Sequence, residues 1–310
     1  LRKVVFILAL ALALSFFDRV TAAPARPHVV VVMAEAAEAY EVALRGLREV
    51  LSREVDLDIQ RIRPDDPAEG ARIHALKPEV LVPMGSQATS WSLTQTRGIP
   101  IVFAMVLNPV SSGFIDSMNR PGKDITGASL DIPLAIQFRV LRELLHAQRV
   151  AVLFDPEHSG PVVESALQAA RQEGIRLVPI AVPSPKALDP ALQKVDRSFD
   201  ALWSVADPTV LFSRRAVERM LVHSIRHQLP FMGLSEPYVR AGALLALSSS
   251  YETNGRDAGS LVLRVLAGES PEKIPISVPV DVEVVFNPRT ATQLDLELAS
   301  TPQLRLRAAD

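Results

Sequence analysis

Short apolar runs rich in Val and Ile alternate with stretches of helical spacing along nearly the whole chain, and the pattern runs through twice. His28–Met33 reads as a strand, Glu35–Arg53 carries Ala39, Val42, Ala43, Leu47, Val50 and Leu51 at helical spacing, and Val55–Ile62 alternates as a second strand. Asp66-Pro67 suits the cap and first turn of a helix running to Leu76, Glu79–Met84 is a third strand, and a helix starts near Ser86. A strand at Ile99–Val106 follows. The series then resumes with helix Leu134–His146, strand Arg149–Phe154, helix Pro161–Glu173, strand Ile175–Val182 and helix Pro190–Val195. Strand Ala201–Val205, helix Pro208–Gln228 and strand Leu229–Gly233 come next. Strand Ala243–Ser248, helix Tyr251–Leu266, strand Val278–Phe286 and the cap pair Asn287-Pro288 close it. Apolar strands alternating with helices imply parallel sheets covered on both faces, so the expected class is α/β with two doubly wound sheets.

A chain of 310 residues is long for one core, which favours two lobes. Its 33 basic and 35 acidic residues nearly cancel, leaving no electrostatic footprint for nucleic acid or an anionic membrane. At the N-terminus, Leu1-Arg2-Lys3 is basic, Val4–Leu14 is apolar, and Val20-Thr21-Ala22 ends in a small residue. That order reads as a signal peptide over residues 1–22, cleaved to leave a mature start near Ala23. With no cysteine there is no thiol to carry a lipid, so the expectation is a freely diffusing periplasmic protein.

Two blocks carry more specific information. In the first, the strand Ile99-Pro-Ile-Val-Phe-Ala-Met-Val106 is broken by Asn108-Pro109. A short helical patch is expected at Gly113–Met118, and Arg120-Pro-Gly-Lys-Asp124 turns the chain into a new extended run at Ile125. The second block comprises Glu236-Pro-Tyr-Val-Arg-Ala-Gly-Ala-Leu-Leu245, Tyr251-Glu-Thr-Asn-Gly-Arg256 and Leu266-Ala-Gly-Glu269. Together they resemble the ABC-transporter substrate-binding family whose members include tryptophan- and phenylalanine-binding proteins, over roughly residues 99–296. The resemblance implies a type I periplasmic binding protein: a monomeric receptor that hands a small molecule to an ABC permease. It implies one lobe from residues 28–124 and 250–276, a second from 125–249 and 277–299, a tail at 300–310, and a hinge of three crossings near residues 124, 249 and 277.

In such a fold ligands bind at the carboxyl ends of the strands. Gly85, Ser86 and Gln87 sit where a strand gives way to a helix, whose free amides and dipole favour a carboxylate; Ser86 also suits a plain N-cap. Ala104 and Asn108 end the Ile99 strand, and their backbone carbonyls are expected to face the cleft. The family pattern has Asp where this chain has Asn108, which predicts a ligand whose facing group is neutral rather than an ammonium. In the second lobe Asp155 and Ser159 lie in Asp155-Pro-Glu-His-Ser-Gly160, matching the family's loop, and Asp207-Pro-Thr209 matches its D-x-T/S turn. Asp207 is the acid expected to accept from the ligand, with helix capping as the alternative. Ser235, Glu236 and Tyr251 complete the ring, while Trp91 and Trp203 read as scaffold.

Other chemistry finds little support. His223 and His227 have a metal-capable spacing, but Ser224 stands where a HExxH motif needs Glu, so no metal or other cofactor is expected. The chain has no G-x-S-x-G elbow, P-loop or dinucleotide fingerprint. Acid–base catalysis by Asp155, Glu157 and His158 is the weaker reading, so a binding protein rather than an enzyme is expected. A sensing module presenting its closed state to a signalling partner is the alternative to a transport receptor.

Overall fold

The structure, a computed structural model, describes residues 26–298 and 304–309, so residues 1–22, expected from their sequence to be a signal peptide, lie outside the described residues. Its strands are β1 (His28–Met33), β2 (Asp56–Arg61), β3 (Val80–Met84), β4 (Ile101–Val106), β5 (Ile125–Ser129), β6 (Arg149–Phe154), β7 (Arg176–Ala181), β8 (Ala201–Trp203), β9 (Phe231–Met232), β10 (Leu245–Ser249), β11 (Val282–Phe286) and β12 (Arg305–Ala308). The helices are α1 (Glu38–Leu51), α2 (Glu69–Ala75), α3 (Gly85–Gln95), α4 (Leu134–Leu145), α5 (Pro156–Gln172), α6 (Leu188–Leu192), α7 (Arg214–Arg226), α8 (Glu236–Arg240), α9 (Tyr251–Leu266) and α10 (Pro288–Gln293).

One sheet has five parallel strands in the order β2-β1-β3-β4-β5. The other has seven in the order β12-β11-β10-β9-β8-β6-β7, parallel except where β10 meets β11. Strand alternation explains why each sheet needs helices on both faces. Val29, Val31 and Met33 pack with Leu44 and Leu47 of α1 and Val262 of α9, whereas Val30 and Val32 face Ile73 and Trp91 on the opposite side. In the second sheet Val150 and Val152 face Phe138, while Ala151 and Leu153 face Leu188 and Met220. Two doubly wound α/β lobes result. Trp91 and Trp203 are both core residues.

The chain returns to the first lobe because α9 fits against α1 at glycines. A Cβ on Gly255 would lie 1.8 Å from the Ala43 carbonyl oxygen, and one on Gly46 would lie 2.0 Å from that of Glu252. Only hydrogen side chains allow these two backbones to cross so closely.

Several boundaries differ from the sequence reading. The strand β5 pairs with β4 in the first sheet, Ile101 opposite Ile125, so the first crossing falls at residues 130–133 rather than at 124. Gly113–Met118 forms turns rather than a helix: Gly113 takes φ +71°, and Phe114 and Ile115 are drawn into the core. The helix α2 starts after Asp66-Pro67, because the Asp66 carboxylate accepts from Ala68 N at 3.0 Å ahead of the first turn. The helix α5 begins before Pro161, because Asp155 caps it through Glu157 N at 3.0 Å and Pro156 suits its first position. Residues 208–213 are turns, and α7 starts only where Ser213 caps it through Ala216 N. The expected tail contains β12, an edge strand parallel to β11. The chain also leaves the second sheet at Ser250 and re-enters it after residues 278–281.

Candidate functional site

The chain leaves the first sheet at the carboxyl end of β5 and the second at the carboxyl end of β10, which places both carboxyl edges on the hinge side. The candidate site is therefore the gap between these two rows of loops.

In the first lobe three neighbouring strands end together. After β3, Gly85 has φ +83°, and a Cβ there would lie 2.1 Å from the Tyr40 hydroxyl. The helix α3 begins at Gly85 itself, with Met84 as N-cap and no side-chain cap bond. Ser86 is thus inside the first turn and not the cap. Ser86 and Gln87 are exposed, and the amides of this first turn have no partner within the helix. Beside them β4 is irregular: its pairing with β5 shifts register between Phe103 and Val106, Met105 has φ +60° and Asn108 φ +51°. Ala104 is fully buried in the core, so it is not part of the cleft surface; the exposed end is Leu107 and Asn108. Asparagine is one of the few residues that adopt the left-handed conformation readily, which gives Asn108 a backbone reason to be present.

Two residues not singled out from the sequence organise this edge. Buried Asn254, in the first turn of α9, accepts from Met105 N through Oδ1 at 2.9 Å. It also donates from Nδ2 to the carbonyls of Ala128 at 3.2 Å and Ser129 at 3.0 Å. One amide thereby ties β4, β5 and α9 together beside the crossings and holds the left-handed Met105 in place. Asp131, in the first crossing, accepts the Asn108 N–H on both carboxylate oxygens, at 3.0 and 2.9 Å. Burial pushes the Asp131 carboxyl above the usual carboxylate range, against the pull of the Asn108 N–H and Ser129. The neutral-ligand expectation rested on Asn108 standing where the family has Asp; the Asp131 carboxylate lies against the Asn108 N–H at the same strand end. A buried Asn in the small-residue face Asn254-Gly255, Ala258 and Gly259, and an Asp just after Ser129, were the available signals.

The second lobe's edge is internally tied. Asp207 is 2% exposed, and its carboxylate accepts from Asp155 N at 2.6 Å, Thr209 N at 2.8 Å and Val210 N at 2.9 Å. It neither caps α7 nor faces the gap. Asp155, also buried, accepts from Thr209 Oγ1 at 2.6 Å, Glu157 N at 3.0 Å and His158 Nδ1 at 3.0 Å, with Thr209 contributing most to holding its carboxyl below the usual range. Ser159 is buried beneath the same loop. Ser235 precedes α8 without capping it. Glu236 is bound to Arg240 at 2.7 Å and to Arg307 of β12 at 2.8 Å, which fastens the edge strand and lowers the Glu236 carboxyl's pKa. Tyr251 is exposed at the start of α9. Away from both edges, the His223 ring donates from Nε2 to the Val195 carbonyl at 2.6 Å and stacks on His227.

Residues 46–303 match the family model described as ABC transporter substrate binding protein. The chain belongs to this family. A tyrosine-binding protein of Clostridioides difficile is 22% identical over 262 residues, covering 83% of this chain and 75% of that protein. The ligand-free, open structure of a substrate-binding protein with adhesive properties from Clostridium difficile superposes with a TM-score of 0.72 at 18% identity, over 92% of this chain and 100% of that one. A Streptococcus pneumonia ABC domain in complex with L-Trp gives 0.55 at 18% identity, over 90% and 100%. Like these, the ABC substrate-binding protein described here has the type I two-lobed architecture. Among its described residues no helix is long and apolar enough to cross a membrane.

Proposed function

We propose that this ABC substrate-binding protein is an exported receptor that captures an amino acid with a large apolar side chain between its lobes and delivers it to an ABC permease. The observation that carries this reading is where the exposed large apolar side chains fall. Leu107 (53% exposed) and Val110 follow β4, Phe212 (43%) follows β8, Leu234 follows β9, and Tyr251 (41%) follows β10, whereas Val162 and Val222 lie along α5 and α7 and Val280 in the third crossing. Apolar groups gathered around one gap, on loops of both lobes, suit a ligand whose apolar body covers them when the lobes close. The first turn of α3, with exposed Ser86 and Gln87, suits the ligand's carboxylate. The tyrosine-binding relative and the neighbour holding L-Trp support the same ligand class. Export and a periplasmic location are supported by the basic, apolar and small-residue order of residues 1–22. Mass spectrometry of whatever denaturation releases from purified protein, followed by calorimetry with L-tyrosine, L-tryptophan, L-phenylalanine and L-leucine, tests the ligand. A co-purifying sugar and no heat from any of the four would refute it. Loss of uptake of the identified ligand on deleting the gene tests delivery.

A further inference from the structure

We propose that Asp131, in the first hinge crossing, receives the positively charged group of the ligand; this rests on the amino-acid reading and names the cation's partner within it. The residue stands where the chain leaves β5, and its carboxylate reaches across the end of β4 to Asn108 N. Its position is fixed from both sides. Its own N–H donates to Ser129 Oγ at 3.0 Å, Ser129 Oγ donates to the Val106 carbonyl at 3.2 Å, and Leu130 N donates to the same carbonyl at 2.8 Å. The side chain is therefore presented by a bonded turn and does not swing freely.

What the carboxylate lacks is a countercharge. Among the described residues no Lys, Arg or His forms an ion pair with Asp131, unlike Glu236, Glu283, Asp189 or Glu173. A carboxylate can accept about four hydrogen bonds, and the two Asp131 oxygens share one N–H. A partly buried carboxylate held only by neutral donors, the Asn108 N–H and the Ser129 hydroxyl, is costly in the free protein, and a cation seated against it removes that cost. The neighbouring surfaces fit the rest of an amino acid. Exposed Leu107 adjoins Asn108, and the first turn of α3 ends the strand next to β4, with Met84 opposite Ala104. The strands β3 and β5 are two spacings of about 4.8 Å apart, but the Asp131 carboxylate reaches the end of β4 at Asn108 N, so about one spacing remains for a small zwitterion to bridge between it and the first turn of α3. Asp155 and Asp207 do not compete for the ammonium, because both are buried and already bonded. Because Asp131 belongs to the hinge itself, the ligand's charge would bear directly on the segment that bends during closure.

A structural role for Asp131 as a turn former predicts different behaviour from a ligand contact, and Asp131→Asn separates the two, since the amide oxygen still accepts from Asn108 N. Calorimetry on wild type and variant would use L-tyrosine, L-tryptophan and L-phenylalanine, their deaminated analogue 3-phenylpropionate, and the amines tyramine and 2-phenylethylamine. The expected result is a loss of roughly 30-fold or more in affinity for the amino acids and amines, with 3-phenylpropionate changed less than about threefold. The melting temperature of the ligand-free variant should be equal to or above wild type. Equal amino-acid affinity in wild type and variant, equal losses for all ligands, or a lower ligand-free melting temperature would each overturn the inference. Wild type that binds amines but no amino acid, with binding lost in the variant, would refute the amino-acid reading and leave Asp131 standing. Binding of 3-phenylpropionate alone, or of none of these compounds, would refute both.

Discussion

The carboxyl edges of the two sheets occupy equivalent places, yet they dispose of their polar groups in opposite ways. In the second lobe, Asp155, Thr209 and Asp207 satisfy one another and the backbone of two loops. In the first, Met105 and Asn108 hold left-handed conformations, Ser86 and Gln87 are exposed, and Asp131 keeps unused accepting capacity. A strand-end acid is therefore no ligand contact by position alone; what counts is whether its hydrogen bonds are already spent. The second lobe uses polarity to stiffen its loops, and the first leaves accepting and donating capacity unspent.

The sharpest way to break this contrast is Asp207→Ala. Three buried N–H groups would lose their acceptor, and urea unfolding should show a loss of about 3 kcal/mol with ligand affinity of the folded protein nearly unchanged. A large affinity loss with normal stability would move Asp207 back into the cleft. Next in size is Ser86→Asp. A carboxylate in the first turn of α3 should raise ligand-free stability by about 0.5 kcal/mol and lower amino-acid affinity by roughly tenfold or more, since it repels the ligand's own carboxylate. Parallel gains or losses in both measurements would remove the opposition between stability and binding on which the contrast depends.

Smaller still is the pair Asn108→Gly and Asn108→Val. Glycine tolerates φ +51° freely, whereas a β-branched residue there should cost about 1–2 kcal/mol by urea unfolding. Equal stability of the two variants would mean that the left-handed turn is not maintained. The finest test is acid titration. The folded Asp155 carboxyl is held low, so its contribution is present above the unfolded value of about 4 and is lost as pH falls through the folded one. The folded Asp131 carboxyl is raised, so its charge opposes folding at neutral pH and that penalty disappears as pH falls below the raised value. Asp155→Asn should flatten the acid limb of stability, and Asp131→Asn should lift the neutral plateau. The reverse assignment would overturn the distinction between the two edges.

Much of the frame was legible because it rests on local pattern. His28–Met33 and Arg149–Phe154 are continuous apolar runs, and Tyr251–Leu266 starts where Ser250 caps it through Thr253 N. What escaped depends on partners distant in sequence. Arg120–Asp124 looks like a linker between lobes, but Ile125 pairs with Ile101, which no local signal announces. Asp207-Pro208 reads alike whether its carboxylate caps a helix, meets a ligand or, as here, bonds the Asp155 backbone. Asp131 and Asn254 were missed for the same reason: their meaning lies in the ends of β4 and β5, which only the folded sheet brings beside them.

The antiparallel register of β10 and β11 sets Ser249 directly opposite Val282. Everything between them, including α9, is an excursion that departs and returns at one rung of a ladder, across about 5 Å. In topological terms the first lobe borrows α9 through a hairpin loop of its neighbour. A short turn joining Ser249 to Val282 would leave every strand pairing of the larger sheet in place, whereas the smaller lobe would lose one of the two helices, α1 and α9, that cover one of its faces. The two lobes therefore stand in an unequal relation: the larger contains all its own strands, and the smaller is completed only by a segment the larger lends it.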